Sequence, residues 1–189
     1  MNIVKKNIQE HLEIISNFSR EFHDSIENVA NELVSVLSNG GCVYWCGNGG
    51  SAADSQHLAA ELVGRFKKNR KALCSIALTT DSSVLTCIAN DFSYEDVYSR
   101  QVEGLIKSRD ALIGISTSGN SSNVFNALKE ANKIGAKTFG LLGCDGGKIK
   151  DLSSLAIVVP SQSTARIQEF HIMVGHILCD LIESGLGLN

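Results

Sequence analysis

With 189 residues, 43% of them hydrophobic and 20% charged, the chain can bury one sizeable core and is too short to argue for a second. A net charge of −3 with no long block of like charge argues against a basic nucleic-acid-binding surface. Polar residues break every apolar run near the start, which excludes a signal peptide or membrane span and points to the cytoplasm, with the six cysteines, none in a Cys-x-x-Cys pair, as structural thiols.

Residues 1–189 read as a single domain, a helical segment over 1–38 followed by an α/β core over 39–189. Apolar side chains recur in steps of three and four from Val4, Ile8, Leu12 and Ile15 through Phe22, Val29 and Leu37, an amphipathic helical stripe. It forms one long helix or two, with Asp24 and Ser25 as candidate caps for a second. The stripe packs either on its own domain or, in part, against another copy of the chain, because it is longer than one face of a small sheet requires.

After Gly40-Gly41 the pattern changes to five short apolar runs, at 42–46, 75–79, 111–116, 138–142 and 156–159. Helices are predicted between or after them at 52–64, 94–107, 122–134 and 164–184. Continuous apolar strands alternating with helices imply a doubly wound, five-stranded parallel sheet, buried on both faces. Pro160 falls where it can end the fifth strand. In such sheets ligands bind beyond the carboxyl ends of the strands, so the loops there are the candidate site.

The loop after the first strand, Gly47-Asn48-Gly49-Gly50-Ser51, gives a ligand access to backbone N–H groups at the start of a helix. Ser51-x-x-Asp54 also has the spacing of a capping box. The loop after the third strand places four hydroxyls, those of Ser116, Thr117, Ser118 and Ser121, around Gly119. Without a lysine or arginine, it is a neutral cradle in which a phosphate would be held by hydrogen bonds and a helix dipole. Ala89-Asn90-Asp91-Phe92 is a further polar loop, and Lys67 to Lys71 reads as a solvated basic loop.

His57 and Glu61, four residues apart, share a helix face, as do Gln168 and His176, eight apart. These side chains support two readings: a four-coordinate site for a metal such as zinc, or a metal-free base and acid pair, Glu61 and His176. His11, His23 and His171 read as solvent-facing or satisfied side chains.

Cys46 to Arg65, Ile115 to Ser121, Asp145-Gly146-Gly147-Lys148, and Ala165 to Glu169 with His171 and His176 together resemble the phosphoheptose isomerases of the sugar isomerase (SIS) family, over nearly the whole chain. The resemblance implies a flavodoxin-like SIS fold with an N-terminal helical extension. It implies substrate contacts at Asn48, Gly49, Gly50, Ser51, Glu61, Asn90, Asp91 and Gln168, with the phosphate on Ser116, Thr117, Ser118 and Ser121. It further implies one zinc per subunit on His57, Glu61, Gln168 and His176, and Glu61 and His176 as base and acid. The implied assembly is a homotetramer whose active sites combine neighbouring subunits.

The implied activity is conversion of sedoheptulose 7-phosphate to D-glycero-D-manno-heptose 7-phosphate through an enediol, supplying heptose for lipopolysaccharide or capsule. An isomerase of another sugar phosphate is an alternative. A second is a non-catalytic SIS protein that binds the replication initiator, but that protein lacks the glutamate and second histidine found here at Glu61 and His176. Ala165 departs from members with an acidic residue at that position, which bears on fine specificity.

Overall fold

The computed structural model of the chain describes residues 2–188. The N-terminal stripe is broken into α1 (Ile3–Ser16) and α2 (Arg20–Ser38). The break falls at Asn17–Ser19 rather than at Asp24 and Ser25, because the Ser19 hydroxyl accepts the Phe22 N–H and caps α2. The two halves of the stripe have different fates. α2 buries Phe22, Ile26, Val29, Leu33 and Val36 against the sheet and its helices. α1 buries no residue, and Ile3, Val4, Ile8, Leu12 and Ile15 are 42–74% exposed.

Five strands, β1 (Val43–Gly47), β2 (Ser75–Ala77), β3 (Ala111–Ser116), β4 (Lys137–Gly143) and β5 (Leu155–Val159), pair in parallel in the order β2-β1-β3-β4-β5. Each predicted strand is present. β2 is the shortest, although Leu78 beyond it still donates to the Trp45 carbonyl. With α2, the helices α3 (Gly50–Val63) and α8 (Thr164–Gly185) cover one face around Trp45, Phe139 and Phe170. The other face packs around Tyr98, Leu112 and Leu128 under α4 (Ser82–Asp91), α5 (Ser99–Leu105), α6 (Ser122–Ile134) and α7 (Gly147–Leu152). Helices on both faces of a parallel sheet make the fold α/β and doubly wound.

Three helices depart from the sequence expectation, among them α7, which was not expected between the fourth and fifth strands. α4 was expected as a loop near Ala89–Phe92, because Ser-Ser-Val-Leu-Thr-Cys is rich in hydroxyl and β-branched residues with weak helix propensity. Asp81 nonetheless caps it by accepting the Val84 N–H at 2.9 Å. The helix expected at 94–107 is instead a 3-10 turn, Tyr94–Asp96, followed by the shorter α5.

β1 connects through α3 on one face and β3 through α6 on the other. The winding therefore reverses between these adjacent strands, and their carboxyl ends open a crevice at the switch point.

Candidate active site

One wall of the crevice is the loop after β1. Gly49 has φ +57° and occupies the N-cap of α3, so its turn needs glycine and leaves the first N–H groups of the helix without a side-chain cap. Ser51 lies inside α3 and is 3% exposed, so the capping box expected from Ser51 and Asp54 is not formed. Asp54 instead has a buried Oδ2 with no hydrogen-bond partner among the described residues. Burial pushes its carboxyl up, opposed by His57. Gly50 meets α8 directly: a Cβ there would stand 2.6 Å from Nε2 of Gln168.

The opposite wall is the serine-rich loop after β3. Ser116 and Ser121 pair through their hydroxyls at 2.9 Å, and the Ser118 hydroxyl accepts the Asn120 N–H. Gly119, at φ +66°, packs so closely on the next strand's loop that a Cβ would fall 2.0 Å from the Gly146 carbonyl oxygen. Ser121 sits at the N-cap of α6 but makes no cap bond; of the helix's first N–H groups, that of Val124 is taken by the Asn123 side chain at 2.9 Å, which leaves the two before it to face an anion.

The walls are joined by Asn48, an expected site residue, together with Asn123, Tyr94 and Tyr98, which sequence reasoning missed. Asn48 donates to Asn123 Oδ1 at 2.8 Å and accepts from Asn123 Nδ2 at 2.9 Å. Tyr94 donates to Asn48 Oδ1 at 3.0 Å, and Tyr98 donates to the Gly47 carbonyl. Tyr94 thereby ties the glycine loop to the segment holding Asn90 and Asp91, exposed neighbours in the last turn of α4 that bond each other at 2.8 Å. Asn123 carried no visible signal, since an asparagine in a helix's first turn is ordinary.

Toward the carboxyl end of α3, away from the glycine loop, lies the group with chemical potential. His57 Nε2 stands 3.2 Å from Glu61 Oε1 and 3.4 Å from Nε2 of His176 on α8. One ligand atom from each of the three residues lies within 4.8 Å of the others. In a tetrahedral metal site with ligand bonds near 2.0–2.1 Å, neighbouring donors stand about 3.3–3.4 Å apart, so two imidazoles and a carboxylate at these separations can hold a metal ion. The Phe66 ring lies against His176, with centroids 5.5 Å apart and planes 29° from parallel.

A family model for the SIS domain matches residues 7–143. A phosphoheptose isomerase of Nitratiruptor is 55% identical over 180 residues, covering 95% of this chain and 96% of that protein. The chain belongs to the phosphoheptose isomerases of the SIS-domain family. A phosphoheptose isomerase structure from Neisseria gonorrhoeae superposes with a TM-score of 0.90 at 41% identity, covering 96% of this chain and 97% of that one. One from Francisella tularensis gives 0.92 at 32% identity, covering 96% of each.

Within this family fold, other expectations need correction. Arg70, read as part of a solvated basic loop, has a side chain only 2% exposed and paired with Glu183 at 2.6 Å. Burial alone would raise the Glu183 carboxyl, but the N–H groups of Phe66 and Lys67 and the Arg70 guanidinium hold it below its ordinary value. His171 is neither solvent-facing nor satisfied. It is fully buried, neither ring nitrogen closes a well-formed hydrogen bond, and burial pushes its pKa down to about 4. His11 does find partners, bonding Glu169 at 3.0 Å and stacking on Phe170. All six cysteines are free, with Cys42, Cys46 and Cys179 buried and Cys74 and Cys87 exposed. No described helix is long and apolar enough to cross a membrane. Ala165 is exposed in the first turn of α8.

Proposed function

We propose that the protein isomerises sedoheptulose 7-phosphate to D-glycero-D-manno-heptose 7-phosphate, as one cytoplasmic domain supplying heptose to lipopolysaccharide or capsule. The observation that carries this reading is the approach of a carboxylate, Glu61, and an imidazole, His176, to within 4.8 Å. An aldose–ketose interconversion needs such a pair: one group to move a proton between carbons and another to move one between oxygens.

Ser116, Thr117, Ser118 and Ser121 hold the phosphate, assisted by the open N-terminus of α6. Asn48, Gly49, Gly50, Ser51, Asn90, Asp91 and Gln168 line the path of the sugar. Glu61 removes a proton from C1 of the open-chain ketose as the C1–C2 double bond forms and O2 gains a proton, giving the enediol. O1 then gives up its proton as the C1 carbonyl forms, and Glu61 returns its proton to C2. His176 carries the proton between O1 and O2. Glu61 faces His57 through Oε1, which leaves the other oxygen of its carboxylate for this work.

His57, Glu61, Gln168 and His176 would hold one zinc per subunit, which when bound supplies Lewis acidity at the carbonyl and enediolate. The uncovered apolar stripe of α1 supports assembly of the homotetramer, with neighbouring subunits completing each site.

The deciding experiment is proton NMR of sedoheptulose 7-phosphate in D2O with zinc-loaded protein. The expected result is an aldose anomeric signal with deuterium entering at the reacting carbon. An unchanged spectrum, with pentose and hexose phosphates also inert, overturns the isomerase reading.

A further inference from the structure

The buried pair Arg70 and Glu183 links the two elements that carry the proposed acid and base, since Arg70 bonds the backbone of α3 and Glu183 belongs to α8. Beyond its bond to Glu183, Arg70 donates through Nη2 to the carbonyl of Glu61 at 2.9 Å and through Nη1 to that of Leu62 at 2.8 Å. Both carbonyls lie in the last turn of α3, where the helix itself offers no partner. Glu183 in turn accepts the N–H groups of Phe66 and Lys67 at 3.0 and 3.1 Å. Phe66 is the residue whose ring lies against His176, and His176 precedes Glu183 by two turns of α8. A buried ion pair is a weak source of stability compared with apolar packing of similar volume. This one spends its hydrogen bonds on the peptide of Glu61 and on the peptide that seats Phe66.

We propose that Arg70 and Glu183 are positioning residues that fix Glu61 and His176 relative to each other, Arg70 through the end of α3 and Glu183 through Phe66. The catalytic part of this inference rests on the isomerase reading, whereas the geometric part does not. A lysine at position 70 would keep the charge but lose the planar fork that reaches Glu183 and two carbonyls at once.

The test uses Arg70→Lys and the double variant Arg70→Met/Glu183→Leu, in which neither charge is left unpaired. Folding is checked by circular dichroism, kcat and KM are measured on sedoheptulose 7-phosphate, and the His176 imidazole resonance, assigned with His176→Gln, is followed by NMR. The folded variants should lose kcat by about tenfold to a hundredfold with KM within about threefold, as misplaced catalytic groups do. The His176 resonance should shift as the Phe66 ring leaves it. A His176 resonance that stays in place in a folded variant overturns the proposal, as does a kcat within about twofold of wild type. If one variant fails to fold, the other decides. If the wild-type protein isomerises nothing, the isomerase reading falls and the resonance alone decides the positioning role.

Discussion

Asn48 and Asn123 exchange two hydrogen bonds, 2.8 and 2.9 Å long, across the crevice between β1 and β3. Asn123 is 3% exposed, so Asn123→Ala leaves the Asn48 amide without its buried partner and costs about 1–3 kcal/mol of stability. The glycine loop then loses its anchor to the serine-rich wall. KM for sedoheptulose 7-phosphate should rise about tenfold while kcat changes by less than about threefold, because the loop binds ground state and transition state alike. Steady-state kinetics and a urea titration check both effects, and an unchanged KM would show that the amide pair serves the fold alone.

Glu61→Gln preserves shape and removes the proposed base. Turnover should fall by at least about a thousandfold, within the range a positioned acid or base contributes. Affinity for the unreacted sugar phosphate, read by calorimetry, should stay within about threefold because the serine-rich loop proposed to hold the phosphate is untouched. Retained turnover would take Glu61 out of the base role.

Metal content can be separated from proton transfer through His57, which has no part in the proton path. The purified protein should carry about one zinc per chain by mass spectrometry, matching a single donor cluster. His57→Ala should lose that zinc. At a hundredfold excess over its dissociation constant, zinc should stabilise the wild-type chain by about 2.7 kcal/mol, and should leave the variant's melting temperature unmoved. A His57→Ala variant that still binds one zinc at full affinity would move the metal site elsewhere.

The strands were legible because a parallel sheet covered on both faces demands continuous apolar runs, and ALIGIS and TFGLL can hardly be anything else. The convergence of His57 and Glu61 followed from helical spacing, but their meeting with His176 rests on α3 packing against α8, a contact spanning 119 residues of sequence. Arg70 was misread for the same reason: its neighbours Lys67, Lys68 and Lys71 are solvent residues, and its partner Glu183 lies 113 residues away. The Ser51 and Asp54 spacing misled because the positive φ of Gly49 lets the helix start two residues earlier. α4 was missed because its propensities are weak, its cap is a single aspartate and only Ile88 is buried.

The stripe on α1 gives a direct test of assembly. Because Ile8 and Leu12 are more than half exposed in the single chain, Ile8→Asp with Leu12→Asp should leave the circular dichroism spectrum almost unchanged. The sedimenting mass should fall from that of the proposed tetramer to a smaller species, and activity should fall with it if neighbouring subunits complete the site. An unchanged mass would assign the interface to another surface.

His171 sets a pH dependence of stability whose sign follows from its burial. In the folded chain its pKa is about 4, against an ordinary value of 6.5, so the unfolded chain binds the proton first. Its neutral form therefore contributes its full stability above pH 6.5, and that contribution is lost as pH falls from 6.5 toward 4. The span of the shift corresponds to a loss on the order of 3 kcal/mol. Glu183, held below its ordinary 4.5, adds its own loss only at still lower pH, while Asp54, pushed up by burial, works in the opposite direction. Urea midpoints taken in chelator between pH 5 and 7 should fall for the wild-type chain, and His171→Leu should flatten that slope. Equal slopes in the two proteins would mean that the His171 ring reaches water or a partner before the chain unfolds.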